Sequence, residues 1–251
     1  MKIALVQSDI IWAEPVRNHE RLEAMLSDGQ ADLYVLPEMF STGFAIQPEG
    51  IAERDGVSLK WMLQTSERFH AALAGSVATE ENGRYINRFY FVKPSGEVSF
   101  YDKRHLFTYG GEQREYSPGD KRVVVEWQGV RFLLQVCYDL RFPVWSRNRG
   151  DYDVALYVAN WPVNRIDVWS TLLKARALEN QCYVVGVNRV GKDPACDYCG
   201  CSALFDARGH VMAECRREQS AVSVGEVDLD SLQRFREKFP VLTDADDFII
   251  R

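Results

Sequence analysis

The sequence predicts an α/β fold in four layers, an α-β-β-α sandwich in which two mixed sheets stack face to face and helices cover both outer faces. Three observations carry this expectation. Short β-like runs and helical patterns are interspersed from end to end of the 251 residues. Several runs, among them 33–36, 132–136 and 154–159, are too apolar to face water on either side. Hairpin turns at Asn82-Gly83 and Ala207-Arg208-Gly209 interrupt the βα alternation, which counts against the runner-up, a doubly wound parallel sheet.

Residues 3–7 read as a strand, 18–26 as an amphipathic helix and 33–36 as a second buried strand ending in Pro37-Glu38, so two βα-type units open the chain. A helix is predicted over 59–73 and a strand over 74–78, joined through Asn82-Gly83 to a strand over 85–92. Pro94-Ser95-Gly96 then turns the chain into a strand through Tyr101, which makes the middle an antiparallel meander. Over 103–120 the apolar period vanishes, and loops of that length in compact domains are often functional. Strands over 123–127 and 132–136 follow across Gln128-Gly129, then a strand over 154–159, then a helix over 166–181 with Ile166, Trp169, Leu173 and Ala177 on one stripe. Strands over 183–187, 202–205, 211–214 and 222–227 and a helix over 230–238 complete the set. Neither a linker nor a repeat interrupts this order, which predicts one domain over 1–251. The tail 240–251 carries Phe248, Ile249 and Ile250, apolar side chains expected to dock on the body or on a partner subunit.

With 46% hydrophobic residues and a net charge of −6, the chain can bury a large core and lacks the broad basic surface that phosphate-backbone binding requires. Nucleic acid is not an expected partner. Residues 1–9 fall short of a secretory signal, and no later stretch approaches the ~18 apolar residues of a membrane span. The expectation is a cytoplasmic protein with no membrane partner, its six cysteines reduced.

Cys137 stands where the apolar run 132–136 breaks, ahead of Asp139 and a short helical pattern. Alone it reads as one more small buried residue. A turn at a strand end can also hold a side chain at the rim of a sheet, with backbone N–H groups aimed at a developing oxyanion. Two other segments tip the balance: Leu36-Pro37-Glu38-Met39-Phe40 and Tyr101-Asp102-Lys103-Arg104-His105-Leu106.

Together with Cys137-Tyr138-Asp139-Leu140-Arg141-Phe142-Pro143, and in this order, they resemble the nitrilase superfamily of carbon–nitrogen hydrolases. The resemblance spans nearly the whole chain and implies a catalytic Glu38, Lys103 and Cys137. It aligns Glu112, in Gly110-Gly111-Glu112-Gln113, with a second family glutamate that orients the lysine or helps the hydrolytic water. Asn160-Trp161-Pro162 and Lys238-Phe239-Pro240 most resemble the ω-amidase group, which hydrolyses the terminal amide of 2-oxoglutaramate and similar dicarboxylic monoamides. The resemblance also implies a homodimer or larger homo-oligomer, with a small-molecule amide as substrate.

The residue types suit that chemistry. An amide is a poor electrophile and ammonia a poor leaving group, so the reaction needs a strong nucleophile, a proton carrier and charge stabilisation at oxygen. Cys137 would form a thioester and Glu38 would move the protons, while Lys103 and the backbone N–H of Tyr138 would hold the oxyanion. Lys103 favours a thiolate and Glu38 opposes it, so the net shift of the thiol is open. Arg165 is the expected partner for a substrate carboxylate, with Trp161 and Phe142 as pocket walls. Arg176 and Glu179, three apart on a helix, read as a structural pair.

No cofactor and no metal are expected. Cys196-Asp197-Tyr198-Cys199-Gly200-Cys201 has the density of a zinc knuckle, but only Cys215 or His210 could supply a fourth ligand, so it reads as a loop leading to the strand at Ser202. The family usually carries other small or polar residues there. A Cys137–His105 dyad would instead suggest a peptidase or acyltransferase. The remaining alternatives are the same triad acting on a nitrile or N-carbamoyl substrate, and a catalytically silent scaffold.

Overall fold

The chain enters on β1 (Lys2–Gln7), whose alternate residues serve two interiors: Ile3 and Leu5 face the centre of the molecule, Ala4 and Val6 an outer layer, and all four are fully buried. Such double burial is what a strand with a second sheet on one face and helices on the other must show. The computed structural model describes residues 1–26 and 31–249. After β1 come α1 (Pro15–Leu26), β2 (Leu33–Val35), α2 (Val57–Phe69), β3 (Ala72–Glu81), β4 (Arg84–Val92) and β5 (Val98–Asp102). The second half runs β6 (Val124–Trp127), β7 (Val130–Val136), α3 (Pro143–Ser146), β8 (Val154–Ala159), α4 (Ile166–Asn180) and β9 (Tyr183–Asn188). A ribbon of β10 (Val190–Lys192) and β11 (Asp197–Cys199) leads to β12 (Ala203–Phe205), β13 (Val211–Glu214), β14 (Ala221–Glu226) and α5 (Leu229–Lys238).

The strands form two six-stranded sheets, β14-β1-β2-β3-β4-β5 and β13-β12-β9-β8-β7-β6. Each has a parallel centre and antiparallel flanks. Ile3 pairs with Leu33 and Leu33 with Ala72 in parallel register in the first, and Phe132 pairs with Val154 and Val154 with Tyr183 in the second. Between the sheets lie Phe89, Phe91, Phe132, Leu134, Val136 and Leu156, the rings of Phe91 and Phe132 5.5 Å apart. Leu22 and Leu26 of α1 and Met62 of α2 cover the outer face of the first sheet. The stripe Ile166, Trp169, Leu173 and Ala177 of α4 covers Leu133, Ala155 and Tyr157 of the second. The order of layers is therefore helix, sheet, sheet, helix.

Local expectations are corrected in two places. The helix expected over 59–73 stops at Phe69: His70 takes a left-handed φ of 51°, its N–H turned back to the carbonyls of Glu67 and Ser66, and Ala72 already pairs in the sheet. Ala71-Ala72-Leu73-Ala74 suits a buried strand and a buried helix equally, so periodicity does not separate them. The loop read through Cys196 contains the β10–β11 ribbon. In the tail, Phe248 lies under the Arg149 guanidinium at 4.9 Å, Ile249 is 86% exposed, and Ile250 falls outside the described residues. No helix among the described residues is long and apolar enough to cross a membrane.

Glu38 follows β2, Lys103 follows β5, Cys137 follows β7 and Asn160 follows β8. In sheets with parallel strands this is the rim at which sites form, since strand ends there open into crevices rather than into further pairing.

Candidate active site

Three turns bring the side chains to this rim. Beyond β2 the chain continues one step of parallel pairing, Leu36 N–H to Ala74 O at 2.7 Å. Met39 then takes a φ of 44°, its N–H held by Ser76 Oγ at 3.0 Å, so Glu38 points between the sheets. Lys103 is fixed through its backbone, N–H to Asn87 O at 3.0 Å and O from Gly119 N–H at 2.9 Å. Cys137 sits at a φ of 46° and opens a 3-10 turn, Cys137–Arg141. A non-glycine residue in the left-handed region is held there only by its surroundings, and here Asp139 does the holding. Its Oδ2 accepts from Val136 N–H (2.9 Å) and Tyr101 O–H (2.8 Å), and its Oδ1 accepts from His105 N–H (3.0 Å). The turn at Cys137 is thereby tied to the segment carrying Lys103. Behind it, Arg176 pairs with Glu179 at 2.9 Å and donates to Leu140 O at 2.7 Å.

Lys103 Nζ lies 3.0 Å from Glu38 Oε1 and 3.0 and 2.9 Å from the two oxygens of Glu112, and all three side chains are fully buried. Asn87 donates to Glu38 Oε1 at 2.8 Å, Asn160 N–H to Glu38 Oε2 at 2.8 Å, and Asn160 Nδ2 to the Glu38 carbonyl at 2.6 Å. Phe107 N–H donates to Glu112 Oε2 at 2.6 Å.

Two carboxylates around one ammonium leave the cluster short of positive charge. Burial works against the charge on Lys103, but Glu112 and Glu38 outweigh it and raise its pKa. Burial likewise leads in raising Glu112, against Lys103. Cys137 opens partly onto a cleft, yet the protein packed about its sulfur leads in pushing the thiol well above its usual range, with Glu38 adding and Lys103 opposing. The shift that the sequence left open is upward. Near neutral pH the sulfur therefore rests as a thiol close to Glu38 and Lys103, and a carboxylate placed there can take up its proton.

The cleft over Cys137 is lined by Phe44, Phe107, Tyr138, Trp161 and Arg165, with Arg141 and Cys196 also on its wall. Glu38, Lys103, Glu112 and Cys137 thus meet, and Trp161 and Arg165 face the same space. Phe142 does not line it: its ring stacks on His105 at 3.8 Å and meets Tyr138 edge-on at 5.1 Å, one layer behind. His105 Nδ1 lies 2.7 Å from Asp139 Oδ1 and its ring is stacked on Phe142, so the imidazole packs behind the turn and does not line the cleft onto which Cys137 opens. Cys199 is buried and Cys201 half-buried, away from the cleft. Asn87, Asp139 and Arg141 entered the sequence argument without a role, and Asn160 only as part of a turn. Asn87 stands beside Arg88 in a stretch that mixes polar and apolar residues, so no local signal marks it.

A model of the carbon-nitrogen hydrolase family matches residues 2–237. The chain belongs to that family and is an amide-hydrolysing enzyme with a small-molecule substrate. It is 46% identical to an omega-amidase, YafV, of Yersinia enterocolitica, covering 100% of this chain and 98% of the relative. It is 35% identical to the 2-oxoglutaramate amidase of Bacillus subtilis, over 96% of each. The crystal structure of XC1258 from Xanthomonas campestris, a CN-hydrolase superfamily protein with an arsenic adduct in its active site, superposes with a TM-score of 0.97 at 41% identity, covering 100% of this chain and 99% of the other.

Proposed function

We propose that this enzyme is an ω-amidase, hydrolysing the terminal amide of 2-oxoglutaramate and similar dicarboxylic monoamides. The observation that carries the reading is Lys103, buried between Glu38 and Glu112 close to Cys137, under a cleft edged by Arg165. The names of the relatives in Yersinia enterocolitica and Bacillus subtilis support the substrate class.

In the proposed reaction Cys137 gives its proton to Glu38 as the sulfur attacks the amide carbon. The oxyanion gathers on Lys103 and on the backbone N–H of Tyr138, which lies in the opening of a 3-10 turn, where N–H groups have no partner within the turn. Glu38 returns the proton to nitrogen, ammonia leaves, and a thioester remains. Glu38 then takes a proton from water, which attacks the thioester and frees the carboxylate product and the thiol. Glu112 holds Lys103 in place throughout. Arg165 would pair with the far carboxylate and Trp161 would wall the pocket, while the enzyme works in the cytoplasm as a homodimer or larger homo-oligomer, without cofactor.

The test is ammonia release from 2-oxoglutaramate, succinamate and glutamine by wild type and Cys137→Ala. Release by wild type alone, with glutamine slow, is expected. Release of carbon dioxide with ammonia from an N-carbamoyl amine, with no amide turned over, would transfer the triad to the other substrate class. Activity retained by Cys137→Ala would remove the thioester.

A further inference from the structure

We infer that the cleft over Cys137 carries a two-arginine anion site, in which Arg141 and Arg165 together read the substrate carboxylate. The inference rests on the proposed amidase reading for its substrate, but its geometry stands by itself. Both side chains line the cleft onto which Cys137 opens. Among the described residues neither guanidinium forms an ion pair with a carboxylate. Each lies instead over an aromatic ring, Arg141 at 5.2 Å from the centroid of Trp161 and Arg165 at 5.4 Å from that of Phe107. Arginines beside a catalytic cleft that have no acidic partner of their own keep their donor forks for something that enters.

The carboxylate that lines the cleft is already committed. Asp193 Oδ1 accepts from the N–H groups of Ala195 and Cys196, both at 2.8 Å, and its Oδ2 accepts from Tyr198 O–H at 2.6 Å. Trp161 touches both residues: its face underlies the Arg141 guanidinium, and its Nε1–H fixes the main chain of Arg165 by donating to its carbonyl oxygen at 2.8 Å. The nearby walls of Phe44, Phe107, Trp161 and Pro162 lower the local dielectric, which strengthens a charge-assisted pair. Two planar forks offer more donors than one carboxylate needs. A carboxylate with a neighbouring oxo group, as in a 2-oxo acid, presents coplanar oxygens that two forks engage together. The cleft is therefore expected to select amides that carry an anionic, oxygen-rich far end and to reject neutral and cationic ones.

The test reads binding rather than turnover. Pentanoate, with 1-pentanol as a neutral molecule of the same length, is used to protect Cys137 from alkylation by iodoacetamide, scored on the Cys137 peptide alone because Cys196 lines the same wall. In wild type, pentanoate should protect at far lower concentration than 1-pentanol. In Arg141→Gln and in Arg165→Gln the protection constant for pentanoate should weaken about tenfold or more, with that for 1-pentanol held. Pentanoate protection that stays within about twofold of wild type in either variant overturns the role of that arginine. Equal weakening for acid and alcohol overturns it too, because the side chain would then shape the pocket without reading charge. A charge-selective cleft in an enzyme that leaves 2-oxoglutaramate intact would sink the amidase reading and leave the anion site standing, whereas turnover without charge-selective protection would do the reverse.

Discussion

Glu112→Gln separates the two duties of the buried charge cluster. The amide keeps the shape of the side chain and, with its oxygen toward Phe107 N–H, the bond that anchors the loop, while removing a negative charge 2.9 Å from Lys103 Nζ. Lys103 keeps Glu38 at 3.0 Å. A hydrogen bond to a charged group contributes about 1.5–3 kcal/mol and a neutral one about 1 kcal/mol, so the hold on Lys103 weakens by about 0.5–2 kcal/mol. If that hold positions the oxyanion charge, kcat falls by about two- to thirtyfold. The thiol responds in the opposite sense. Glu112 is one of the groups that raise Cys137, so without its charge the thiol ionises at lower pH. The assay pairs kcat for ammonia release with the pH profile of Cys137 alkylation by iodoacetamide. Slower turnover with an alkylation curve moved toward acid is the expected outcome. A kcat unchanged from wild type, or a curve moved toward alkali, would refute the assigned coupling.

Two further predictions concern stability. Lys103→Met leaves Glu38 and Glu112 facing each other at 0% exposure, and removing one partner from a buried pair costs about 3–5 kcal/mol. Glu112, already raised by burial, is raised further without the ammonium, so the folded state holds a proton that the unfolded chain releases above its carboxylate pKa of about 4.3. Stability is then best in acid and lost as pH rises, and the Tm deficit against wild type should be larger at pH 8 than at pH 5; a deficit larger at pH 5 would contradict this. His19 has the opposite sign. Buried, stacked on Trp61 at 4.7 Å and 2.9 Å from Ser58 Oγ, it is lowered from 6.5 to about 4 by desolvation, against Glu23. The unfolded chain binds a proton that the fold refuses, so stability is full above the unfolded value and declines as pH falls, by about 2 kcal/mol at pH 5. Urea midpoints at pH 7.5 and 5 should show a smaller drop for His19→Gln than for wild type, and equal drops would exclude the assignment.

How far the sequence could be read depended on whether a feature was local. Glu38, Lys103 and Cys137 stand at breaks in apolar runs, and each break marks a strand end, so their placement at one rim follows from the chain pattern. The four layers were legible for the same reason, since runs such as Phe132-Leu133-Leu134 are buried on both faces. Register was not legible. Asn87 reaches Glu38 because it pairs with Ala78 across β3 and β4, and nothing near Asn87 in sequence announces that. Asp139 likewise depends on Tyr101 and His105 arriving from another sheet. The exchange of Phe142 for Arg141 on the cleft wall has a geometric cause: successive residues of a 3-10 turn point about 120° apart, so neighbours in sequence face different surroundings. The end of α2 was missed because a left-handed His70 stops it where composition alone carries on.

The contact between Asn160 and Glu38 closes a sequence span of 122 residues and joins strand ends that belong to different sheets. Lys103 and Glu38 close another of 65. Neither sheet carries a working fragment of the centre, so docking of one sheet on the other is a precondition for chemistry. Loops this long close late and slowly during folding. On the proposed mechanism, a nascent or partly refolded chain can therefore hold its strands and helices while Cys137 still lacks its proton acceptor, and the thiol is armed only once the two halves have locked together.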